Sequence, residues 1–217
     1  MFLGHFAVAF AAKRAAPAVS LGLLFVAAQL ADLLWPLLVL AGVERVAISP
    51  GITAITPLDF QHYPYSHSLA ALGVWALAFG FIYRIARGSG GRAFLVIAGL
   101  VLSHWFLDVL SHRPDMPIGL GESPKMGLGL WNSVPATLAA ELALFAAGIA
   151  VYARTTRAVD RIGSWAFGGL IVFLLVMYAG AVFGPPPPSV DAVAWSGIAM
   201  WLIMGWAFWI DRHRAAS

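Results

Sequence analysis

The chain has 217 residues, 61% of them hydrophobic and only 11% charged, with a formal net charge of +3 and a mean hydropathy of +0.84. A soluble domain carries about 25% charged and 45–50% apolar residues, so this composition excludes an ordinary soluble globule and points to a polytopic membrane protein. There is no cysteine, which excludes disulfides and thiolate metal sites and leaves His, Asp and Glu to hold any metal.

Residues 2–12 (FLGHFAVAFAA) are apolar but too short to cross a bilayer, which takes about 20 residues. They read as a half-inserted or re-entrant helix anchored by Lys13 and Arg14. That basic pair follows the apolar run instead of preceding it, unlike a cleavable signal peptide. A first full span is expected over 18–43, with Asp32 inside it and a kink at Pro36. Residues 44–65 form a loop rich in Pro, Gly and Thr. A second span follows over 66–83, a short basic loop over 84–92 and a third span over 93–112. A Gly/Pro-rich loop covers 113–133, a fourth span 134–152 and another basic loop 154–161. The fifth span is 164–183, the prolines 185–188 make a stiff turn, and the sixth span, rich in Trp, is 192–210. The expected fold is all-α: one integral membrane domain over 1–217, with about six transmembrane helices and a short N-terminal helix.

An even number of spans puts both termini on one side. Ten of the 13 Lys and Arg residues then fall on that side, in the N-terminal stretch, the 84–92 and 154–161 loops and the tail, against Arg45, Arg113 and Lys125 opposite. By the positive-inside rule the termini are cytoplasmic.

The third span carries the densest polar pattern, SHWFLDVLSHRP over 103–114. His104, Asp108 and His112 are spaced by four, which stacks them on one helix face about 5–6 Å apart. Measured by helix rise from the basic clusters, His5 lies about 12 Å deep, His104 about 16, Glu141 about 20, Asp32 about 21, Asp108 about 22 and His67 about 25 Å. Leaving these groups in lipid would cost about 2.5–3.5 kcal/mol per charge. One shared cavity among the first four spans (polar site within 1–145, scaffold helices over 164–210) is therefore the least costly arrangement. Imidazole and carboxylate ligands suit a divalent ion such as zinc, iron or manganese.

Gly4–His5, Asp32, the Ser66–His67–Ser68 triplet and the H-x-x-x-D of His104 and Asp108 together resemble the YdjM-like family of bacterial inner-membrane proteins, described as membrane-bound metal-dependent hydrolases. The resemblance covers roughly residues 1–115. It implies His5, Asp32, His67, His104 and Asp108 as metal-site residues. The lone acid in QLADLLWP and Ser66 in place of Thr depart from the family pattern, and weigh against two metals more than against one.

The leading functional reading is a metal-dependent hydrolase of an ester or phosphoester, acting through a metal-activated water, with Asp108, Glu141 and His112 as proton acceptors. Site depth favours a membrane lipid or lipid-linked substrate. A metal-ion or proton carrier using the same cluster is the alternative, and a structural membrane partner the third reading. Ser66 is read as a helix cap holding His67, and Glu141 as either a metal ligand or a partner of Arg113. Asp59, His62, Arg113, Asp115 and Lys125 read as solvated loop residues, some at the mouth of the site, where Arg113 and Lys125 would suit an anion. The nine Trp residues read as interfacial and packing residues. No feature points to nucleic acid.

Overall fold

Inside hydrocarbon every backbone N–H and C=O must be satisfied within its own segment, so apolar runs become helices. A computed structural model describes residues 1–88 and 90–217; Ser89, in the basic 84–92 loop, lies outside the described residues. Among the described residues, five helices are long and apolar enough to cross a membrane: α5 (Leu69–Arg87), α6 (Gly91–Ser111), α7 (Val134–Thr155), α8 (Arg161–Phe183) and α9 (Val190–Arg212). Only 22–33% of each such window is buried. Val74, Ile82 and Ile85 of α5, Leu95 of α6, Val172 of α8 and Leu202 of α9 face outward uncovered, as expected where the surrounding solvent is lipid.

The expected first span is a broken one. Helices α2 (Leu21–Ala28) and α3 (Leu30–Leu40) are bent by 57° at Gln29. The bend is therefore at Gln29 and not at Pro36, which sits inside α3 and packs on α9, where a Cβ on Gly197 would come within 2.4 Å of the proline ring.

The N-terminal helix α1 (Phe2–Ala15) is short, as expected, yet it is a core element instead of a peripheral anchor. Leu3, Phe6, Ala9 and Phe10 are fully buried, and α1 packs on α2, α6 and α7. A Cβ on Gly148 of α7 would meet the Ala7 backbone at 2.4 Å, so the two helices touch through their main chains there. Lys13 is buried, donating to the Val19 carbonyl at 2.8 Å and pairing with Asp211 of α9 at 3.1 Å, while Arg14 is exposed.

Residues 44–65 are more ordered than a loop. An antiparallel hairpin of β1 (Arg45–Ile48) and β2 (Leu58–His62) leads into a single helical turn, α4 (Pro64–His67). In 113–133, a two-residue pairing of β3 (Met116–Pro117) with β4 (Lys125–Met126) precedes a 3₁₀ turn, Leu130–Asn132. At the opposite end, β5 (Thr156–Ala158) pairs with the tail strand β6 (Arg214–Ala216). With the Lys13–Asp211 pair, this pairing brings three of the basic segments to one face; the hairpin belongs to the other.

Candidate metal centre

Four helices and a one-turn helix carry the polar cluster. α1 brings His5, α3 Asp32, α4 His67, α6 His104 and Asp108, and α7 Glu141. The Asp108 carboxylate is the hub. Its Oδ1 faces the Met1 amino nitrogen and His5 Nε2 (3.0 Å), and its Oδ2 faces His104 Nε2 (3.1 Å) and His67 Nε2 (4.0 Å). Asp32 Oδ1 lies 3.4 Å from His67 Nε2 and 3.7 Å from His104 Nε2. The His5 and His104 rings stack at 3.8 Å, 4° from parallel. Two triads, His5–His104–Asp108 and Asp32–His67–His104, each have donor atoms within 4.8 Å of one another.

Hydrogen-bond partners assign the imidazole protons. His104 Nδ1 is 2.8 Å from the Ala28 carbonyl, an obligate acceptor, so Nδ1 carries a proton and the neutral ring has its lone pair on Nε2. Ala28 is the last residue of α2, so the broken span itself provides the acceptor that orients His104. For His67, Nδ1 lies 2.7 Å from Ser66 Oγ, which lies 2.6 Å from Glu44 Oε2. The hydroxyl donates its one proton to the carboxylate and accepts the Nδ1 proton, which leaves the lone pair of His67 on Nε2 as well. Both Nε2 lone pairs thus face carboxylate oxygens, acceptor against acceptor, and buried His104 Nε2 has no hydrogen-bond partner among the described residues. Such an array is repulsive until a cation, a proton or a metal ion, lies among the atoms. The four N···O separations of 3.1–4.0 Å bracket the roughly 3.4 Å between ligand atoms of a tetrahedral ion with bonds of about 2.1 Å. These buried His and Asp groups could therefore hold a metal ion.

Several expected roles change. Ser66 does not cap the long helix: Ser68 does, accepting from Ala71 N at 3.0 Å, while Ser66 ties His67 to Glu44. Glu44 is the residue that the sequence reading missed. Buried and alone at the start of the hairpin segment, it also accepts from Tyr65 N and Ser66 N at 2.8 and 2.9 Å, satisfying the N-terminus of α4. Only Pro64 at a helix start hinted that some acid must serve there.

Glu141 does not meet Arg113. Its Oε2 accepts from Leu3 N at 2.6 Å and Gly4 N at 3.4 Å, capping a helix that starts inside the apolar interior.

Asp59, Arg113 and Asp115, expected as solvated loop residues, instead form a second network with His112 at the hairpin face. His112 Nδ1 lies 2.9 Å from Asp115 Oδ1, Tyr63 Oη donates to the same oxygen at 3.1 Å, Arg113 Nε donates to Asp115 Oδ2 at 3.0 Å, and Arg113 also pairs with Asp59. Burial pushes the Asp115 carboxyl up, but the hydrogen bonds from His112, Arg113 and Tyr63 outweigh it and hold the group below its ordinary value. Burial raises the Tyr63 phenol well above its usual value, and the Asp115 charge beside it acts in the same direction. With Arg113 engaged and Lys125 exposed beside His62 in a separate surface pocket, neither basic residue reaches the cluster.

An interior cavity of about 340 Å³ meets the site; Asp32, His67, Asp108, His112 and Glu141 line one part of it and apolar residues of α8 and α9 another. No family model, curated protein or solved structure matches this chain.

Proposed function

We propose that this protein is a membrane-embedded, metal-dependent hydrolase of an ester or phosphoester, in which His67, His104, Asp32 and Asp108 hold a zinc-like divalent ion and His5 supports Asp108. The observation that carries the reading is the pair of imidazole Nε2 atoms turned toward two carboxylates at 3.1–4.0 Å, with both Nδ1 atoms hydrogen-bonded elsewhere. A bound divalent ion supplies Lewis-acid polarisation and activates water near neutral pH. The chain's own residues do the rest. Asp115 holds His112 with Nδ1 protonated, leaving Nε2 to accept a proton at the cavity wall. His104 is common to the two triads, and Glu141 holds the α1 N-terminus, and with it His5, in register.

Membership in the YdjM-like group belongs to the same proposal and rests on the residues quoted for it. So does placement in a bacterial inner membrane with the basic face cytoplasmic, which rests on the ten-of-13 charge asymmetry. A carrier of protons or metal ions is the second reading, and the break at Gln29 beside the cluster favours it, because interrupted helices line ion sites in transporters.

The test is elemental analysis of the detergent-purified protein, wild type against His104→Ala, beside hydrolysis and vesicle-flux assays. About one divalent ion per chain, lost in the variant, with turnover and no net flux, supports the hydrolase. Flux without turnover favours the carrier, and full metal content in His104→Ala removes His104 from the site.

A further inference from the structure

The interior cavity does not end at the cluster. It continues into a groove of about 690 Å³, and Ile55, Leu58, Met177, Val182 and Val193 line both. Each volume lies within the range of about 300–1,000 Å³ typical of ligand sites. The groove runs between α8 and α9 under the hairpin segment. Toward the basic face the two helices are tied together: Trp206 Nε1 donates to the Ala166 carbonyl at 3.0 Å, and the Phe173 and Trp206 rings lie 5.7 Å apart. The groove residues, from Val176 on α8 and Val193 on α9, lie toward the opposite ends. Val176 is 63% exposed on a helix that spans the membrane. What meets an apolar opening at that depth is lipid, since water there would forfeit its hydrogen bonds.

The two ends of this passage differ in chemistry. The inner end carries Asp32, His67, Asp108 and His112, and no Lys or Arg lines either compartment. Its wall also holds the rings of Trp35 and Tyr178, residues only 7% and 4% exposed. The groove end is mostly Val, Met, Ala, Ile, Leu, Gly and Pro, with Thr53, Thr56 and Ser196 as its polar side chains.

We infer that the site takes a membrane lipid, its ester group at the cluster beside the Trp35 and Tyr178 rings, and one aliphatic chain lying in the α8–α9 groove. This inference rests on the hydrolase reading for the fate of the ester, but not for the binding of the chain. Chain burial in the groove supplies affinity. Because no cationic side chain lines the passage, any negative charge on the headgroup is balanced at the cluster alone.

The experiment uses the full chain in phosphatidylcholine/phosphatidylglycerol vesicles doped with either of two phosphatidylglycerol probes, one with a diazirine beside the ester and one with a diazirine at the acyl end. After irradiation, labelled residues are mapped by mass spectrometry. The ester-proximal probe is expected on Trp35 and Tyr178, which bulk lipid does not reach, and the chain-end probe on Val176, Val182 and Val193. Ala181→Trp should lower interior labelling about tenfold, as expected when a bulky side chain competes for the same space, with labelling of outward-facing Val74 and Ile82 unchanged. Gly180→Leu, at a position where an added Cβ meets nothing within 4 Å, is a second obstruction that the fold accommodates. Label confined to Val176, Phe183 and other outward residues, or interior label insensitive to both obstructions, would overturn the inference. His104→Ala separates the two readings: loss of metal with interior labelling retained leaves the groove standing, whereas metal retained without interior labelling rejects the groove alone.

Discussion

Two polar networks lie one above the other in this bundle, and they are built on opposite terms. At the hairpin face, Asp115 accepts from His112, Tyr63 and Arg113, and Arg113 also donates to Asp59. Every acid there has donors, and the group holds itself together. One turn below, Asp108 Oδ1 meets the Met1 amino group and His5, but Asp108 Oδ2 and Asp32 Oδ1 face the Nε2 atoms of His67 and His104, whose Nδ1 groups point away. A satisfied network stabilises a fold; one in which neutral imidazole nitrogens and carboxylate oxygens converge is complete only with something added between them. The upper network should therefore fail as structure, and the lower one as chemistry.

The largest expected effect is at the hub. Asp108→Asn keeps the volume and removes the charge, so metal content should fall. If Asp108 acts on water instead of holding the ion, metal stays bound while turnover drops by roughly 10²–10⁴. Paired metal and turnover measurements, with thermal unfolding as control, decide between them. Unchanged metal together with unchanged turnover would make the lower network a structural one like the upper.

Ser66→Ala should come next. It removes the acceptor that fixes the His67 proton on Nδ1, and metal affinity should weaken about 10–100-fold, the usual cost of losing a group that orients a ligand. Ser66→Thr keeps the hydroxyl and should restore affinity in chelator competition. Equal weakening in both variants would mean that volume, and not the hydroxyl, matters.

Asp115→Asn breaks the upper network and should cost about 1–3 kcal/mol of stability by leaving buried donors short of a carboxylate, with metal content unchanged. Its pH signature has a definite sign. The folded carboxyl lies below its ordinary 3.8, so its contribution is fully present above about pH 3.8 and is lost as pH falls through the lower folded value. The variant should lose that part of the acid limb in unfolding measured against pH. Loss of metal in Asp115→Asn would show the two networks to be one.

The smallest effect belongs to a pair outside both. Asp160 caps α8, accepting from Gly163 N at 2.9 Å, and bonds His213 at 2.7 Å, an exposed link that holds its carboxyl below the usual value. Asp160→Asn should leave metal and turnover untouched and shift only the stability at low pH, slightly, because solvent screens it. A change in metal content there would undermine the separation of the site from the basic face.

Local chemistry along the chain was enough for part of this. Apolar runs near 20 residues with basic loops between them determined the long spans, since hydrocarbon admits few alternatives to a helix. The i,i+4 spacing determined that His104 and Asp108 share a face, and the absence of cysteine restricted the donors to imidazole and carboxylate. Tertiary structure decided what depends on partners distant in sequence. Glu44 reaches Ser66 from 22 residues away, Glu141 reaches Leu3 from 138, and Lys13 reaches Asp211 from 198. No periodicity encodes such pairs, because each is settled by which buried donor most needs an acceptor once the helices have packed. The same holds for the break at Gln29. Pro36 is the residue in that run that sequence rules mark as a helix breaker, yet the bend falls where the Ala28 carbonyl can meet His104.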